Sequence, residues 1–134
     1  MTAPHGLKFT STHEWIRIQG KKIVVGITDF AQSQLHGITS VELPEPDPHH
    51  HYETGEDVGV IESTKAAADF FAPVPGLVIT VNHALLDNPE LVNHDPYGAG
   101  WLFEMQPDDM AEVIDLMDQD EYESSLPEEE PEEE

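Results

Sequence analysis

Apolar residues along this chain recur mostly at the two-residue spacing of strands, in short runs separated by turn residues. Residues 15–18 (WIRI) alternate, residues 19–22 (QGKK) break the run, and residues 23–27 (IVVGI) resume it, which predicts a hairpin. Thr28 or Asp29 then offers a helix cap ahead of Phe30, Ala31 and Leu35, which share one face of a short helix over 28–35. A strand over 38–44 ends at proline. Two prolines (Pro46, Pro48), a histidine run and Gly55 make residues 45–57 a loop. Paired strands come next over 58–63 and 66–73, then a turn at 74–76 and a strand over 77–82. Residues 83–93 read as a helical or turn segment broken at Pro89, 95–100 as turns, and 101–105 as the last strand. Pro107 followed by acids suits a helix start. Met110, Val113, Ile114 and Met117 at helical spacing predict a C-terminal helix over 107–123 that covers the sheet. Many short strands with turns between them predict a mainly β sandwich or barrel with short helices. Trp15, Phe30, Phe70, Phe71, Trp101 and Phe103 are its candidate core aromatics.

Composition narrows this picture. The 134 residues suit one domain with one core. The hydrophobic fraction of 38% is low for a folded domain. Part of the reason is residues 124–134 (SSLPEEEPEEE), an acidic, proline-broken tail expected to be disordered. Residues 1–6 read as a loose start, which leaves 7–123 as the folded unit. Five Lys and Arg against 28 Asp and Glu leave a net charge of -23. That opposes nucleic acid and anionic membrane surfaces, aids solubility and favours partners with basic docking faces. The chain has no cysteine, hence no disulfide, no thiolate metal site and no thiol chemistry of its own. No apolar run approaches the ~20 residues that span a bilayer, and the N-terminus lacks the apolar core of a signal peptide. A cytoplasmic monomer is the expectation.

Among the candidate chemistry, Lys65 stands out. It lies between two apolar runs and is the last positive side chain before the C-terminus. The segment ESTKAA (62–67) has neither Gly nor Asn at the hairpin tip, where a tight turn usually places one. Sequences break local rules of this kind at functional places. A tip lysine flanked by the small Ala66, Ala67 and Ala68 leaves room for a modifying enzyme, although an exposed turn lysine is often no more than that. His49, His50 and His51 are adjacent and point to alternating sides if extended, which does not make the four fixed ligands of a structural metal site. A solvated loop is the simpler reading. His83 and His94 read as surface or capping residues, and His13 beside Trp15 as a packing residue. Gly98 and Gly100 lack the spacing of a phosphate loop. No grouping reads as nucleophile, base and orienting residue, so the chain is expected not to be an enzyme.

Larger stretches carry a resemblance. HEWIRI (13–18), VGITDFAQSQL (25–35), VELPE (41–45), IESTKAAADFFAPVPG (61–76), NPELVNHDPYGAGW (88–101) and DEYE (120–123) occur in the order found in the H proteins of the glycine cleavage system. The resemblance covers roughly residues 8–123. It implies the barrel-sandwich hybrid of lipoyl- and biotinyl-carrier domains, with short helices and a C-terminal helix. It implies lipoic acid in amide linkage on Lys65, with Glu62 and Gly76 helping a lipoylating enzyme recognise the turn. The implied partners are glycine decarboxylase (P protein), aminomethyltransferase (T protein) and dihydrolipoyl dehydrogenase (L protein). In this family the loaded arm folds into a surface cleft, which is expected near Glu14, His36 and Asp69.

Two departures bear on the partners. The loop over 45–57 is longer than the family's, and His36-Gly37 stands where a Gly-Asp pair is usual. They keep open an H-like carrier serving bacterial sulfur oxidation through a heterodisulfide-reductase-like complex, or relaying lipoyl groups. An unmodified binding module is a further alternative. A biotin carrier is disfavoured, because Thr64 and Ala66 replace the methionines usual beside that lysine.

Overall fold

The structure, a computed structural model, describes residues 3–126. Along the chain lie β1 (Lys8–Phe9), β2 (Glu14–Gln19), β3 (Lys22–Ile27), α1 (Asp29–Leu35), β4 (Ile38–Glu42), β5 (His51–Tyr52), β6 (Asp57–Ser63) and β7 (Ala67–Phe71). Then come β8 (Gly76–Val81), α2 (Ala84–Asp87), α3 (Leu91–His94), β9 (Phe103–Pro107), α4 (Met110–Ile114) and α5 (Gln119–Ser125). A six-stranded sheet has the order β1-β2-β3-β9-β8-β5, and a three-stranded sheet has the order β4-β6-β7. The strand pairings are antiparallel throughout. The sheets pack as a sandwich and do not close into a barrel.

The large sheet is buried on both faces around β2 and β3. Ile16, Ile23, Val25, Ile27, Phe103 and Met105 turn inward to the main core, which Ile61 and Phe70 of the small sheet complete. Phe9, Trp15 and Val24 turn outward to a second cluster, closed by Leu7 and by Tyr122 of α5. Two-sided burial explains why residues 23–27 read as a continuous apolar run rather than an alternation. Trp15 lies flat across Gly26: a Cβ there would stand 2.6 Å from the indole ring. The indole N–H donates to the Pro96 carbonyl at 2.9 Å.

The predicted hairpins, α1 and the last strand are present, with ends shifted by a few residues. Thr28 is the cap of α1, its side-chain oxygen accepting from the Ala31 N–H. Two strands are not among the predicted elements: β1 lies in residues 7–14, to which the pattern assigns nothing, and β5 in the stretch read as a loop. β1 and β5 have two residues each, too few for a period to be visible, and their partners on β2 and β8 define them.

The single C-terminal helix expected over 107–123 is instead two helices. Residues through Pro107 belong to β9. Asp109 caps α4 and Asp118 caps α5, the latter in a capping box with Glu121. The break has a tertiary cause. Met117 exchanges backbone hydrogen bonds with Phe9, at 2.9 and 3.1 Å, and a helical residue could not do so. Ile114, expected on the apolar face, is 56% exposed. α5 also runs past Glu123, the expected end of the folded unit. Leu126 packs on the outer cluster, as does Ala3 within the expected loose start. The rest of the expected tail, residues 127–134, lies outside the described residues.

Candidate functional site

β6 and β7 form a hairpin whose last registered pair is Glu62 with Ala67. Beyond it the Ser63 N–H donates to the Ala66 carbonyl at 2.8 Å, leaving exposed Thr64 and Lys65 at the tip. Neither is among the residues with positive φ. That resolves the missing glycine: this turn does not need a left-handed residue. The Ser63 side chain supplies the organisation instead. Its Oγ accepts from the Lys65 N–H at 3.2 Å and the Ala66 N–H at 3.1 Å, so a hydroxyl one residue before the tip holds both amides. Ser63→Ala is expected to leave global stability nearly unchanged. Losing about 1 kcal/mol of local hydrogen bonding would speed amide exchange at Lys65 and Ala66 about five-fold. Exchange measured by NMR checks this, and unchanged protection would show that Ser63 does not hold the tip.

Glu62 sits beside the tip, half-buried and turned toward β4. Its carboxylate accepts from the Ser40 hydroxyl at 2.7 Å, and its carbonyl accepts from the Thr39 hydroxyl at 3.2 Å. Gly76 lies in the other sheet, buried, opposite Tyr52 on one side and Pro107 on the other. A Cβ there would stand 2.3 Å from the Gln106 carbonyl oxygen. Gly76 therefore answers first to the close approach of two strands.

Glu14, His36 and Asp69 are not brought together in one cleft. Asp69 lines a cavity of about 220 Å³ between α1 and the β6–β7 hairpin, with Thr12, His13, Phe30, Leu35 and Ala68 among its walls. Glu14 lines a second, larger cavity of about 560 Å³, with Phe9, Phe71, Leu116 and Met117. Thr12 borders both. His36 lines neither; it is exposed and ends α1 with φ 66°, its carbonyl accepting from Asn93 Nδ2 at 2.7 Å. The sequence pattern places Phe30, Ala31 and Leu35 on one helix face. It does not reveal that this face forms a cleft wall opposite Ala68 and Asp69.

Glu14 is 1% exposed, with both oxygens hydrogen-bonded. Thr10 and Thr12 hydroxyls each donate at 2.5 Å and the Phe71 N–H at 3.2 Å. Burial nevertheless outweighs these bonds and pushes its pKa above the ordinary 4.5. The folded state thus holds the proton more tightly than the unfolded chain. The stability this contributes is present below pH 4.5 and is lost as pH rises through the folded pKa. The stability difference between wild type and Glu14→Gln is expected to shift against the wild type across that window. Parallel denaturant titrations at several pH values check the sign, and a flat difference would contradict it. His13 packs at 4.9 Å from the Phe30 ring and shares a 2.8 Å hydrogen bond with the Tyr122 hydroxyl; burial lowers its pKa from 6.5.

Two of the three histidines of the run, His50 and His51, meet carboxylates while remaining exposed. His50 meets Glu56 at 2.8 Å and stacks on Tyr52 at 4.0 Å. His51 lies 2.6 Å from Asp108 and 3.2 Å from Glu53, and the Asp108 hydrogen bond leads in holding its pKa above 6.5. Among the described residues no group of three or more His, Cys, Asp or Glu is arranged to hold a metal ion. His83 and His94 are exposed; His83 stands at the start of α2 without a side-chain cap bond.

A primary amine therefore stands exposed on an ordered two-residue tip, borne by a sandwich of two sheets. The family model for the glycine cleavage H-protein matches residues 7–129. The chain belongs to that family, the lipoyl carriers of the glycine cleavage system. It is 46% identical over 126 residues to the glycine cleavage system H protein of Acinetobacter baylyi, covering 94% of this chain and all of the relative. It is 49% identical over 127 residues to that of Alteromonas mediterranea, covering 94% of this chain and 97% of the relative. The crystal structure of a glycine cleavage system H protein from Mycobacterium marinum superposes with a TM-score of 0.79 at 38% identity, covering 90% of this chain and 96% of that one.

Proposed function

We propose that Lys65 is the lipoyl attachment point and that this chain is the non-catalytic carrier of a glycine cleavage system. The placement of Lys65 carries the reading: its side chain leaves an exposed tip whose backbone amides Ser63 already satisfies. The neighbouring Thr64, Ala66 and Ala67 are small and exposed, so a lipoylating enzyme can close around the turn. Glu62, fixed by Ser40, presents a carboxylate of set position beside it for that enzyme to read. Once attached, the lipoyl group supplies a disulfide that accepts an aminomethyl group and electrons. The chain's own part is to hold, orient and shelter.

The cleft beside α1 is the proposed shelter. Asp69 lies four residues along β7 from Lys65, about 13 Å at strand rise, within reach of a lysine lengthened by a lipoyl chain. Phe30, Leu35, Ile61 and Ala68 offer that chain apolar walls, and Asp69 and Thr12 offer polar groups to an amine at its end. Glu14 lines the other cavity, and neither it nor His36 takes part. Glycine decarboxylase, aminomethyltransferase and dihydrolipoyl dehydrogenase are the proposed partners, and the cytoplasm the proposed setting. No helix among the described residues is long and apolar enough to cross a membrane.

The test is reconstitution. The protein is lipoylated in vitro, confirmed by intact mass, and supplied to glycine decarboxylase with labelled glycine. Carrier-dependent release and exchange of carbon dioxide is the expected result. A fully lipoylated protein that supports no exchange with the decarboxylases of its near relatives would overturn the glycine reading and favour the sulfur-oxidation or relay alternatives.

A further inference from the structure

His13 joins the cleft beside α1 to the C-terminal helix. It stands just before β2 with φ 74°. Its N–H donates to the Thr10 carbonyl at 3.1 Å, and its carbonyl accepts from the Thr28 N–H at 3.0 Å. The ring packs on Phe30 and lines the cleft with Thr12, Gln34 and Asp69. Its Nδ1 lies 2.8 Å from the Tyr122 hydroxyl of α5, which in turn lies 2.8 Å from the Thr28 hydroxyl. Nε2 has no hydrogen-bond partner among the described residues.

Counting protons sets the direction of this chain of bonds. Thr28 is fully buried, and its hydroxyl oxygen already accepts from the Ala31 N–H at 3.2 Å. Among the described residues, the Tyr122 oxygen is the acceptor its own proton meets. Tyr122 keeps its proton, because burial pushes its pKa up to about 12. Having accepted from Thr28, it donates to His13 Nδ1. Burial lowers the His13 pKa from 6.5, so the imidazole is neutral at neutral pH. A neutral imidazole that accepts at Nδ1 carries its proton on Nε2. With the proton on Nδ1 instead, the hydrogen of either Thr28 or Tyr122 would have no acceptor, which is costly for a buried hydroxyl.

We propose that Tyr122 fixes His13 as a positioning residue of the cleft, with Nε2–H as a neutral donor to the amide carbonyl of a lipoylated Lys65. The inference rests on the reading of that cleft as the shelter of the arm. The carbonyl is the one strong acceptor such an arm carries: its sulfurs accept weakly, and a protonated amine at its end only donates. Asp69, on the same cavity, has the opposite sense and suits the amine. A donor and an acceptor on one apolar cleft orient the arm as well as hold it.

Long-range 1H–15N spectra of the unmodified full-length chain read the tautomer. A protonated Nε2 with a bare Nδ1 is expected, and Tyr122→Phe should let the second tautomer appear. A protonated Nδ1 in the wild type would overturn the proposal. The chain is then lipoylated, confirmed by intact mass, and reduced. Its thiol is condensed with formaldehyde and ammonia to the aminomethyl thioether, with loss of water, so loading needs no partner enzyme. Exchange of His13 Nε2–H is expected to slow about tenfold on loading. His13→Gln, whose side-chain N–H reaches about the same place, should keep the loading-dependent shifts of Phe30 and Asp69 amides that His13→Phe loses. If a variant fails to fold, the wild-type exchange measurement decides. Shifts at Phe30 and Asp69 with Nε2–H unprotected would overturn the proposal and leave the cleft reading standing. No shift at either would overturn both, and no added mass would overturn the attachment reading and this inference with it.

Discussion

Lys65→Arg is expected to abolish lipoyl attachment and to reduce carrier activity to background while the protein stays folded. Arginine keeps the positive charge, but its guanidinium is not the free amine that amide formation requires. Position 65 is exposed, and its backbone N–H, which Ser63 holds, survives the change. Surface substitutions of this kind stay within about 0.5 kcal/mol, so loss of activity cannot be assigned to unfolding. Intact mass after incubation with a lipoylating enzyme, ATP and lipoic acid reads attachment, and thermal denaturation reads the fold. A variant that still gained one lipoyl group would move the site to Lys8, Lys21 or Lys22 and sink the hairpin assignment.

Gly76→Ala is expected to be among the most damaging small substitutions available. The new methyl would stand 2.3 Å from the Gln106 carbonyl oxygen and 2.9 Å from Pro107 Cα. Both are backbone atoms of the strand paired with β8, so relief requires the sheet to part. Overpacking of this kind costs about 3 kcal/mol, which lowers the melting temperature by about 10 °C in a domain of this size. Gly37→Ala is the control, since nothing lies within 4 Å of its added carbon. The same variant separates two roles of the glycine. If ligase recognition depends on Gly76 itself, the folded fraction of Gly76→Ala should lipoylate poorly at low temperature. If Gly76 only lets β8 and β9 close, that fraction should lipoylate normally.

The parts of the fold legible in the chain's pattern are those whose cause is local. The β2–β3 and β6–β7 hairpins join neighbouring runs through short turns, and α1 announces itself by Thr28 and a helical apolar face. Lys65 at a tip is legible for the same reason, since tip and strands lie within a dozen residues. The ESTKAA motif within a long ordered resemblance gives that lysine its chemical meaning.

The hidden parts depend on residues far apart in sequence. β3 pairs with β9 across about eighty residues, and no period within either strand specifies its partner. Met110 to Met117 keep helical spacing, yet the bridge from Met117 to Phe9 divides the helix. Gly76 looks like a turn glycine until Gln106 is placed against it. Glu14, His36 and Asp69, expected near one cleft, are divided by packing, with Thr12 between two cavities and His36 outside both. Sequence alone determined that this is an acidic, cysteine-free β protein with a lysine on a hairpin tip, because composition and short-range alternation suffice for that. Tertiary structure decided which strands meet, where the helices break and which side chains share a cavity, because those outcomes come from contacts between segments that local pattern does not encode.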